Sequence, residues 1–378
     1  MLRNKQNCVG CSACIQICPQ KCISFEIDEE GFWYPEVNSA NCIHCEMCKK
    51  ICPTINAKKK SEALINCLVG YAKDNYIRKH SSSGGVFSIL AKEIIKNNGV
   101  AYGASFDQSY SVHHIRIDKS EELVKLRGSK YLQSRIENTY EECKIDLENN
   151  TYVLFSGTPC QIAGLKNYLQ KDYHNLYTVD ILCHGVPSPM IWQKYLNTVK
   201  HNKKIGNINF RSKTYGWSNY SLRMEYSDGS VHECISRVNL YMRLFLSNIC
   251  LRPSCYNCSF KSLNRDSDIT LGDCWRINRI MPDFDQNKGT SIILIHSSKG
   301  KELINQLNDQ LNYKQIEINS VLPASSDERN PVKSHPEREK FFKQINSGMP
   351  INRTRIYVNI SILDRIRAIL KKINDFLN

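Results

Sequence analysis

The residues best suited to chemistry are eight cysteines near the amino end, which repeat one spacing twice. The two copies of C-x2-C-x2-C-x3-C-P consist of Cys8, Cys11, Cys14 and Cys18, and of Cys42, Cys45, Cys48 and Cys52. In bacterial ferredoxins three thiolates at this spacing bind one 4Fe–4S cluster, and the cysteine before proline binds the other cluster. The sequence therefore predicts two clusters, one bound by Cys8, Cys11, Cys14 and Cys52 and the other by Cys18, Cys42, Cys45 and Cys48. Zinc sites favour two cysteine pairs with a longer spacer, and the nearby Cys22 is expected to be a small buried residue.

A second set of cysteines lies in the middle of the chain. Cys160 stands at the predicted start of a helix, and Cys183 follows the next predicted strand. If the strands before these cysteines are parallel, both thiols lie at the carboxyl edge of one sheet, where open α/β sheets bind ligands. The pair Cys255 and Cys258 would then complete a third 4Fe–4S site. An alternative is that the helix dipole lowers the pKa of Cys160, which would act as a nucleophile with His184 as its base.

The elements that must position these residues are strands and helices that alternate after residue 64. Strands are predicted at residues 64–72, 100–106, 152–156, 178–182, 205–211, 220–226, 269–271 and 291–296, and helices at 86–96 and after Thr158. Thr158 is a suitable N-cap, and Pro159 suits the first helical position. Two strands joined by one helix normally lie parallel, so residues 152–182 are expected to form a βαβ unit. The predicted fold is a small dicluster ferredoxin-type domain followed by a larger α/β domain with a mixed sheet.

A loop of small residues precedes the helix predicted at 86–96. It consists of Ser81, Ser82, Ser83, Gly84 and Gly85. Amides and hydroxyls at a helix N-terminus can bind an anion, but such a loop is also common as an ordinary capped turn. The sequence contains no G-x-G-x-x-G, Walker A or G-x-S-x-G motif, so a Rossmann fold, a P-loop enzyme and an α/β-hydrolase are not supported.

Composition limits the class of protein. The chain has 378 residues, of which 41% are hydrophobic and 18 are cysteines, and its formal net charge is +14. This hydrophobic content is that of a folded chain, which is long enough for two or three domains. No apolar run is long enough for a transmembrane helix and no signal peptide is visible, so a cytoplasmic location is expected. The positive charge favours an acidic cofactor or partner, although no nucleic-acid-binding motif is present and nucleic acid is not expected.

The carboxyl end carries a separate feature. Residues 361–377 combine a capping box with one apolar stripe, and the other helix face carries Arg365, Arg367, Lys371 and Lys372. Such a basic amphipathic helix either packs on its own domain or contacts a membrane or a partner. The sequence thus predicts three units: a dicluster domain at 1–57, an α/β domain at 64–345 and a terminal helix within 346–378.

The order of these motifs resembles the coenzyme F-420 (deazaflavin) hydrogenase/dehydrogenase beta-subunit family over roughly residues 5–345. The twin cysteine motif is followed by SSSGGVFS, RGSKYLQS, FSGTPCQIAGLKNYL, DILCHGVPSP and LRPSCYNCSFKSLNRDSDITLGDCW. The resemblance implies an iron–sulfur flavoprotein with FAD held by residues 81–85 and by Gly128, Ser129, Lys130 and Tyr131. Lys130 would contact the pyrophosphate or the N1/O2 edge of the flavin. Cys274 would be a spare ligand or a core residue.

These features together predict an oxidoreductase that passes electrons between 4Fe–4S clusters and a hydride donor or acceptor through FAD. A flavin suits this role because it exchanges electrons singly with clusters and in pairs with hydride substrates. A redox protein or a partner oxidoreductase subunit would dock near the amino-terminal domain, and Arg211 and Lys213 would bind acidic groups of a substrate or be ordinary solvated charges. The alternative is a non-catalytic electron-transfer subunit of a larger redox complex. No catalytic residue is predicted.

Overall fold

The computed structural model describes residues 4–56, 64–200 and 202–358. Residues 57–63, at the boundary between the predicted dicluster and α/β domains, and most of the predicted terminal helix, residues 359–378, lie outside the described residues. Just before them the chain forms a helix at Arg338–Asn346 and a 3-10 helix at Ile351–Tyr357.

The strands form a large mixed sheet and two smaller sheets. In chain order they are β1 Ile23–Ile27, β2 Trp33–Val37, β3 Asn66–Ala72, β4 Val100–Phe106, β5 Val112–Ile117, β6 Ser134–Arg135, β7 Val153–Gly157, β8 Leu176–Ile181, β9 Ile205–Ser212, β10 Ser221–Tyr226, β11 Val231–Ile235, β12 Ile269–Asp273, β13 Ser291–Ile295 and β14 Leu311–Gln315. Within the described ranges, the large sheet has the order β14-β3-β13-β12-β8-β7-β4-β5-β6, and the smaller sheets are β1-β2 and β11-β10-β9.

The helices are mostly short. They are α1 Ala13–Gln16, α2 Met47–Lys50, α3 Asn75–His80, α4 Val86–Lys96, α5 Leu123–Leu126, α6 Thr139–Glu148, α7 Pro159–Leu169, α8 Pro189–Val199, α9 Leu240–Leu246, α10 Ile277–Ile280, α11 Pro282–Asp285, α12 Ser298–Asn305, α13 Ile318–Val321 and α14 Arg338–Asn346. Further 3-10 segments lie at Ser120–Glu122 and Pro253–Asn257.

The centre of the large sheet is parallel, as the predicted βαβ unit requires. Strands β4, β7, β8 and β12 run parallel, whereas β13, β3 and β14 on one side and β5 on the other side pair antiparallel. The predicted mixed α/β sheet is therefore confirmed. Helix α7 joins β7 to β8, and the backbone N–H of Thr158 donates to Oε1 of Gln161 at 2.9 Å, as in a capping box. This cap fixes where the helix begins and thus where Cys160 lies.

Helices cover both faces of the large sheet. Alternate residues of β7 point to opposite faces: Leu154 packs with α4 and α12, whereas Val153 and Phe155 pack with α6 and α7. The amino-terminal region docks beside the second of these layers, where Nδ2 of Asn167 in α7 donates to the carbonyl of Ile51 at 3.1 Å. The sheet edge that carries Cys160 is therefore close to the ferredoxin-type cysteines.

No helix in the described part of the chain is long and apolar enough to cross a membrane.

Candidate metal centres and cofactor site

The first group of amino-terminal cysteines combines both copies of the repeat. Burial raises the pKa of Cys14, and the thiolates of Cys8, Cys52 and Cys48 raise it further. Burial and the neighbouring Cys14 likewise raise the pKa of Cys11, to which Cys52 and Cys8 also contribute. The chain thus brings Cys52 from the second copy to the first three cysteines, as the predicted crossover of ligands requires.

The second group forms around Cys48. Burial raises the pKa of Cys48, with Cys18 and Cys45 as the neighbouring thiolates that add to the effect. Cys22 lies beside this second group, with its sulfur 3.5 Å from the sulfur of Cys18. Burial, together with Cys18 and Cys42, raises the pKa of Cys22 to about 11. The sequence predicts burial of Cys22 but gives no signal for this sulfur–sulfur contact.

The four cysteines of the predicted third site line one cavity. Cys160 is in the first turn of α7, Cys183 follows β8, and Cys255 and Cys258 come from the 3-10 segment Pro253–Asn257 and its end. Burial raises the pKa of Cys183 to about 12 and that of Cys255 to about 11, with neighbouring cysteines adding to the burial effect. Three segments of the chain thus deliver four thiols to a single cavity.

Charge around this cavity favours an anionic occupant. Two cations, Arg252 and Lys261, are among its lining residues, and the described residues that line it include no carboxylate. A 4Fe–4S core with four thiolates carries about −2 by formal valence, which these cations would balance. No three His, Cys, Asp or Glu side chains in the described ranges come close enough to hold one metal ion.

The environment of Cys160 is not the one expected for a nucleophilic cysteine. Burial raises the pKa of this thiol well above its ordinary value, with Cys258 as the next contributor, so the expected lowering by the helix dipole is wrong. Nε2 of His184 lies 2.7 Å from Oδ1 of Asn248, and the imidazole ring packs edge-on against the ring of Phe245. Because burial lowers the pKa of His184 as well, neither residue has the ionisation that an activated cysteine requires.

Helix α7 also brings the first cysteine group next to this cavity. A Cβ at Gly164 would be 3.1 Å from the sulfur of Cys11, so the helix backbone packs directly against that cysteine. Cys11 is also among the thiolates that raise the pKa of Cys160. Val9 of the first motif is one of the residues lining the cavity. The two cysteine sites are therefore neighbours.

The two segments that the family resemblance assigns to a flavin meet in the fold. The backbone N–H of Ser129 donates to Oγ of Ser82 at 2.7 Å. Lys213 lies against the same loop, where its Nζ donates to the carbonyls of Ser83 and Arg78 at 2.7 and 2.6 Å. Gly85 is the N-cap of α4, so the Ser/Gly loop does end in a helix N-terminus.

The remaining residues of the second segment have mixed environments. Gly128 has φ of +86° and open space where a Cβ would stand. Nζ of Lys130 donates to the carbonyls of residues 126, 127 and 128, and burial lowers its pKa to about 7. This ammonium group stabilises its own loop, and a contact between Lys130 and a flavin phosphate stays a prediction.

An ion pair that the sequence does not predict links this region to β12. Arg211 is 2% exposed and donates to both carboxylate oxygens of Asp273 at 2.6 and 3.2 Å, and also to the hydroxyl of Tyr131 at 3.0 Å. Its guanidinium lies 4.7 Å from the ring of Trp275, which is 45% exposed and stacks on Trp217 at 4.8 Å. Arg211 is therefore neither a solvated charge nor a free binding group, and the same is true of the triply bonded Lys213.

Cys274 and Cys250 are core residues. Both are completely buried, and they pack in separate apolar clusters, one with Trp217 and Ile292 and the other with Leu251.

Comparison with known proteins identifies the family. The pattern for the C terminus of the coenzyme F420 hydrogenase/dehydrogenase beta subunit matches residues 150–320, and that for its N-terminal part matches residues 67–139. The chain belongs to this beta-subunit family. A 4Fe-4S dicluster domain matches residues 7–56. The family resemblance and the iron–sulfur character predicted from the cysteine repeat are thus confirmed.

Two relatives give the family context. Coenzyme F420-dependent sulfite reductase of Methanocaldococcus jannaschii is 24% identical over 330 residues, which cover 82% of this chain and 48% of the relative. The chain thus spans about half the length of that protein. A chain of the F420-reducing [NiFe] hydrogenase complex of Methanosarcina barkeri aligns with 16% identity and a TM-score of 0.47, over 79% of this chain and 93% of that chain. These descriptions name F420 and not FAD, so FAD stays a prediction.

Proposed function

We propose that the protein is an oxidoreductase that transfers electrons between 4Fe–4S clusters and a hydride carrier through a flavin-type ring. The observation that carries this proposal is the cavity lined by Cys160, Cys183, Cys255 and Cys258, which lies next to Cys11 of the first amino-terminal group. Three adjoining cysteine sites would provide a continuous route between the amino-terminal region and the carboxyl edge of the large sheet.

The chain's own residues suit each part of this route. The eight cysteines of the repeat would bind two clusters, and the four cysteines of the cavity would bind a third. Because burial raises the pKa values of Cys11, Cys160 and Cys183, these thiols would lose their protons only as metal binds. Arg252 and Lys261 would then balance the negative charge of the cluster in the cavity.

The ring would bind where Ser82 meets Ser129, beside Gly128 and the open space around it. When bound, a flavin would accept two electrons as hydride and release them singly to clusters. The ring of Trp275, which is 45% exposed and lies 4.7 Å from the guanidinium of Arg211, would shield an aromatic ligand from water. FAD is the predicted resident group, and the F420 named for the relatives is the proposed hydride carrier.

A second candidate is an electron-transfer subunit whose substrate chemistry belongs to a partner. The observation that favours it is the length comparison, since the relative from Methanocaldococcus jannaschii is about twice as long as the matched region. A redox partner would contact the predicted dicluster domain at 1–57, while the α/β domain at 64–345 would bind the ring. The terminal helix within 346–378 is then a further candidate contact for a partner, and a cytoplasmic location is proposed.

Anaerobic purification followed by iron, sulfide and flavin analysis tests the proposal. Four irons per cluster predict about twelve irons per chain for three clusters and about eight for two. Cys258→Ser is expected to lower the iron content by about four, whereas Cys234→Ser, on β11 outside the cavity, should not change it. Equal iron content in Cys258→Ser and the unaltered protein would contradict a cluster in the cavity.

Anaerobic reduction separates the two candidate functions. Adding reduced F420 to the flavin-loaded protein is expected to bleach the visible absorbance of the clusters if the chain itself accepts hydride. Bleaching by a reduced ferredoxin but not by F420 would favour the electron-transfer subunit. A reconstituted protein that binds no flavin and no F420 would contradict the oxidoreductase.

A further inference from the structure

Arg252 is a buried cation between two cysteine sites. It is 0% exposed, lines the four-cysteine cavity and reaches into the amino-terminal region. Its Nε donates to the carbonyl of Cys8 at 2.8 Å, its Nη2 to the carbonyl of Trp33 at 3.0 Å and its Nη1 to Oε1 of Gln133 at 3.1 Å. The guanidinium is thus held in place from both sides of the boundary.

The described residues provide no carboxylate within ion-pair distance of Arg252, unlike Arg211 with its Asp273. The faces of the guanidinium contact aromatic rings instead, with Tyr34 at 4.3 Å and Phe32 at 5.5 Å. A fully buried charge without a counter-charge is costly, so the fold has reason to keep one only if an anion binds nearby.

Predicted cluster ligands of both cysteine sites lie near the guanidinium. Nη2 lies 3.6 Å from the sulfur of Cys8, which belongs to the first amino-terminal group. Toward the cavity, Arg252 lines the same space as Cys255, whose backbone N–H donates to the carbonyl of Arg252 at 2.9 Å. One side chain therefore faces a predicted ligand of each of two adjoining clusters.

We propose that Arg252 is a positive charge shared by the cluster at Cys8, Cys11, Cys14 and Cys52 and the cluster in the cavity, and that it raises the reduction potential of both. This inference rests on the proposed function, because it needs clusters at those cysteines. A cluster gains one negative charge when it is reduced, and a fixed cation nearby stabilises that form. A cation shared by two neighbouring clusters would shift both potentials in the same direction.

Lys261 provides an internal control. It lines the cavity, and its Nζ donates to the carbonyls of His184 and Asp327 at 2.9 and 2.7 Å. It shares this lining with Cys183 and Cys255. Unlike Arg252, it makes no hydrogen bond to the described part of the amino-terminal region, so its effect should be limited to the cluster in the cavity.

The test compares Arg252→Gln, Arg252→Lys and Lys261→Gln by electron paramagnetic resonance at controlled potentials, after iron analysis of each protein. Arg252→Gln should shift two clusters to lower potential, each by at least a tenfold change in the ratio of oxidised to reduced protein, which is about 59 mV for one electron. Arg252→Lys keeps the charge and should restore most of both shifts. Lys261→Gln should shift the potential of only the cluster in the cavity. Because Cys258→Ser should remove that cluster, the signals that remain in this variant belong to the amino-terminal clusters.

Unchanged potentials in a fully loaded Arg252→Gln protein would overturn the inference. If that variant loses iron, Arg252→Lys decides the matter, because potentials about 59 mV or more below those of the unaltered protein in this variant, which keeps the charge, would show that charge is not what acts. A protein with no cluster in the cavity would fail the proposed function, whereas the shift at the amino-terminal cluster would still be measurable and would separate the two failures.

Discussion

Neutralising Asp273 should destabilise the protein strongly, because it leaves the charge of Arg211 buried without a partner. Burial alone would lower the pKa of Arg211, but the Asp273 carboxylate outweighs it and holds the pKa above its ordinary value. Removing one member of a buried pair costs about 3–5 kcal/mol. In a long chain the thermal midpoint falls by only about 2 °C for each kcal/mol of lost stability. Asp273→Asn should therefore lower the thermal midpoint by about 6–10 °C.

The assay is anaerobic thermal unfolding followed by tryptophan fluorescence. Glu225→Gln is the matched control, because it removes one of the two acidic partners of Arg223 at the surface, where such a pair contributes at most about 1 kcal/mol. Adding Arg211→Gln to Asp273→Asn removes both buried charges, so the double variant should lose less than the sum of the two single losses. Additive losses, or a loss from Asp273→Asn no larger than that of the control, would refute this reasoning.

Three further predictions concern other buried groups. Burial lowers the pKa of His114 to about 4, so the unfolded chain binds more protons than the folded chain below about pH 6.5. The free energy of unfolding should therefore fall by roughly 2 kcal/mol between pH 7 and pH 5. His114→Gln should remove this part of the pH dependence of thermal unfolding, and an equal pH dependence in the variant and the unaltered protein would contradict the prediction. Cys22→Ala should leave the iron content unchanged, whereas Cys18→Ser, at a sulfur only 3.5 Å away, should lose up to about four irons; equal losses would make Cys22 a ligand. Ser82→Ala removes the acceptor of the Ser129 N–H, so the dissociation constant of FAD in a fluorescence titration should rise about 2- to 12-fold, and unchanged binding would place the ring elsewhere.

The central βαβ unit could be predicted because its signals are local. Thr158 and Pro159 mark the start of α7, and the flanking apolar runs mark β7 and β8 within two residues of their observed bounds. Strands outside this unit are harder to predict. Strand β5 contains two histidines and an arginine among its six residues, so its alternation of apolar and polar residues is weak.

The candidate sites divide in the same way. Cysteine spacing indicates ligand groups because it is a property of short segments, and the predicted cysteines of the cavity do lie together. The surroundings of those groups depend on contacts between distant segments. Arg211 lies 62 residues from Asp273 in sequence, and Arg252 lies 244 residues from Cys8. A sequence pattern gives an arginine its charge but not its burial or its partner.

The approach of the two cysteine sites depends on the backbone of the first motif. Gly10 has φ of +67°, and a Cβ there would stand 2.5 Å from Nε2 of Gln133 and 3.2 Å from Cζ of Arg252. Only glycine accepts this conformation and this contact without displacing those side chains. Because Gln133 and Arg252 bond both to the first motif and to each other, the same contacts that dock the amino-terminal region also fix its cysteines beside the cavity. Docking and the proposed electron route therefore cannot be altered independently at this boundary.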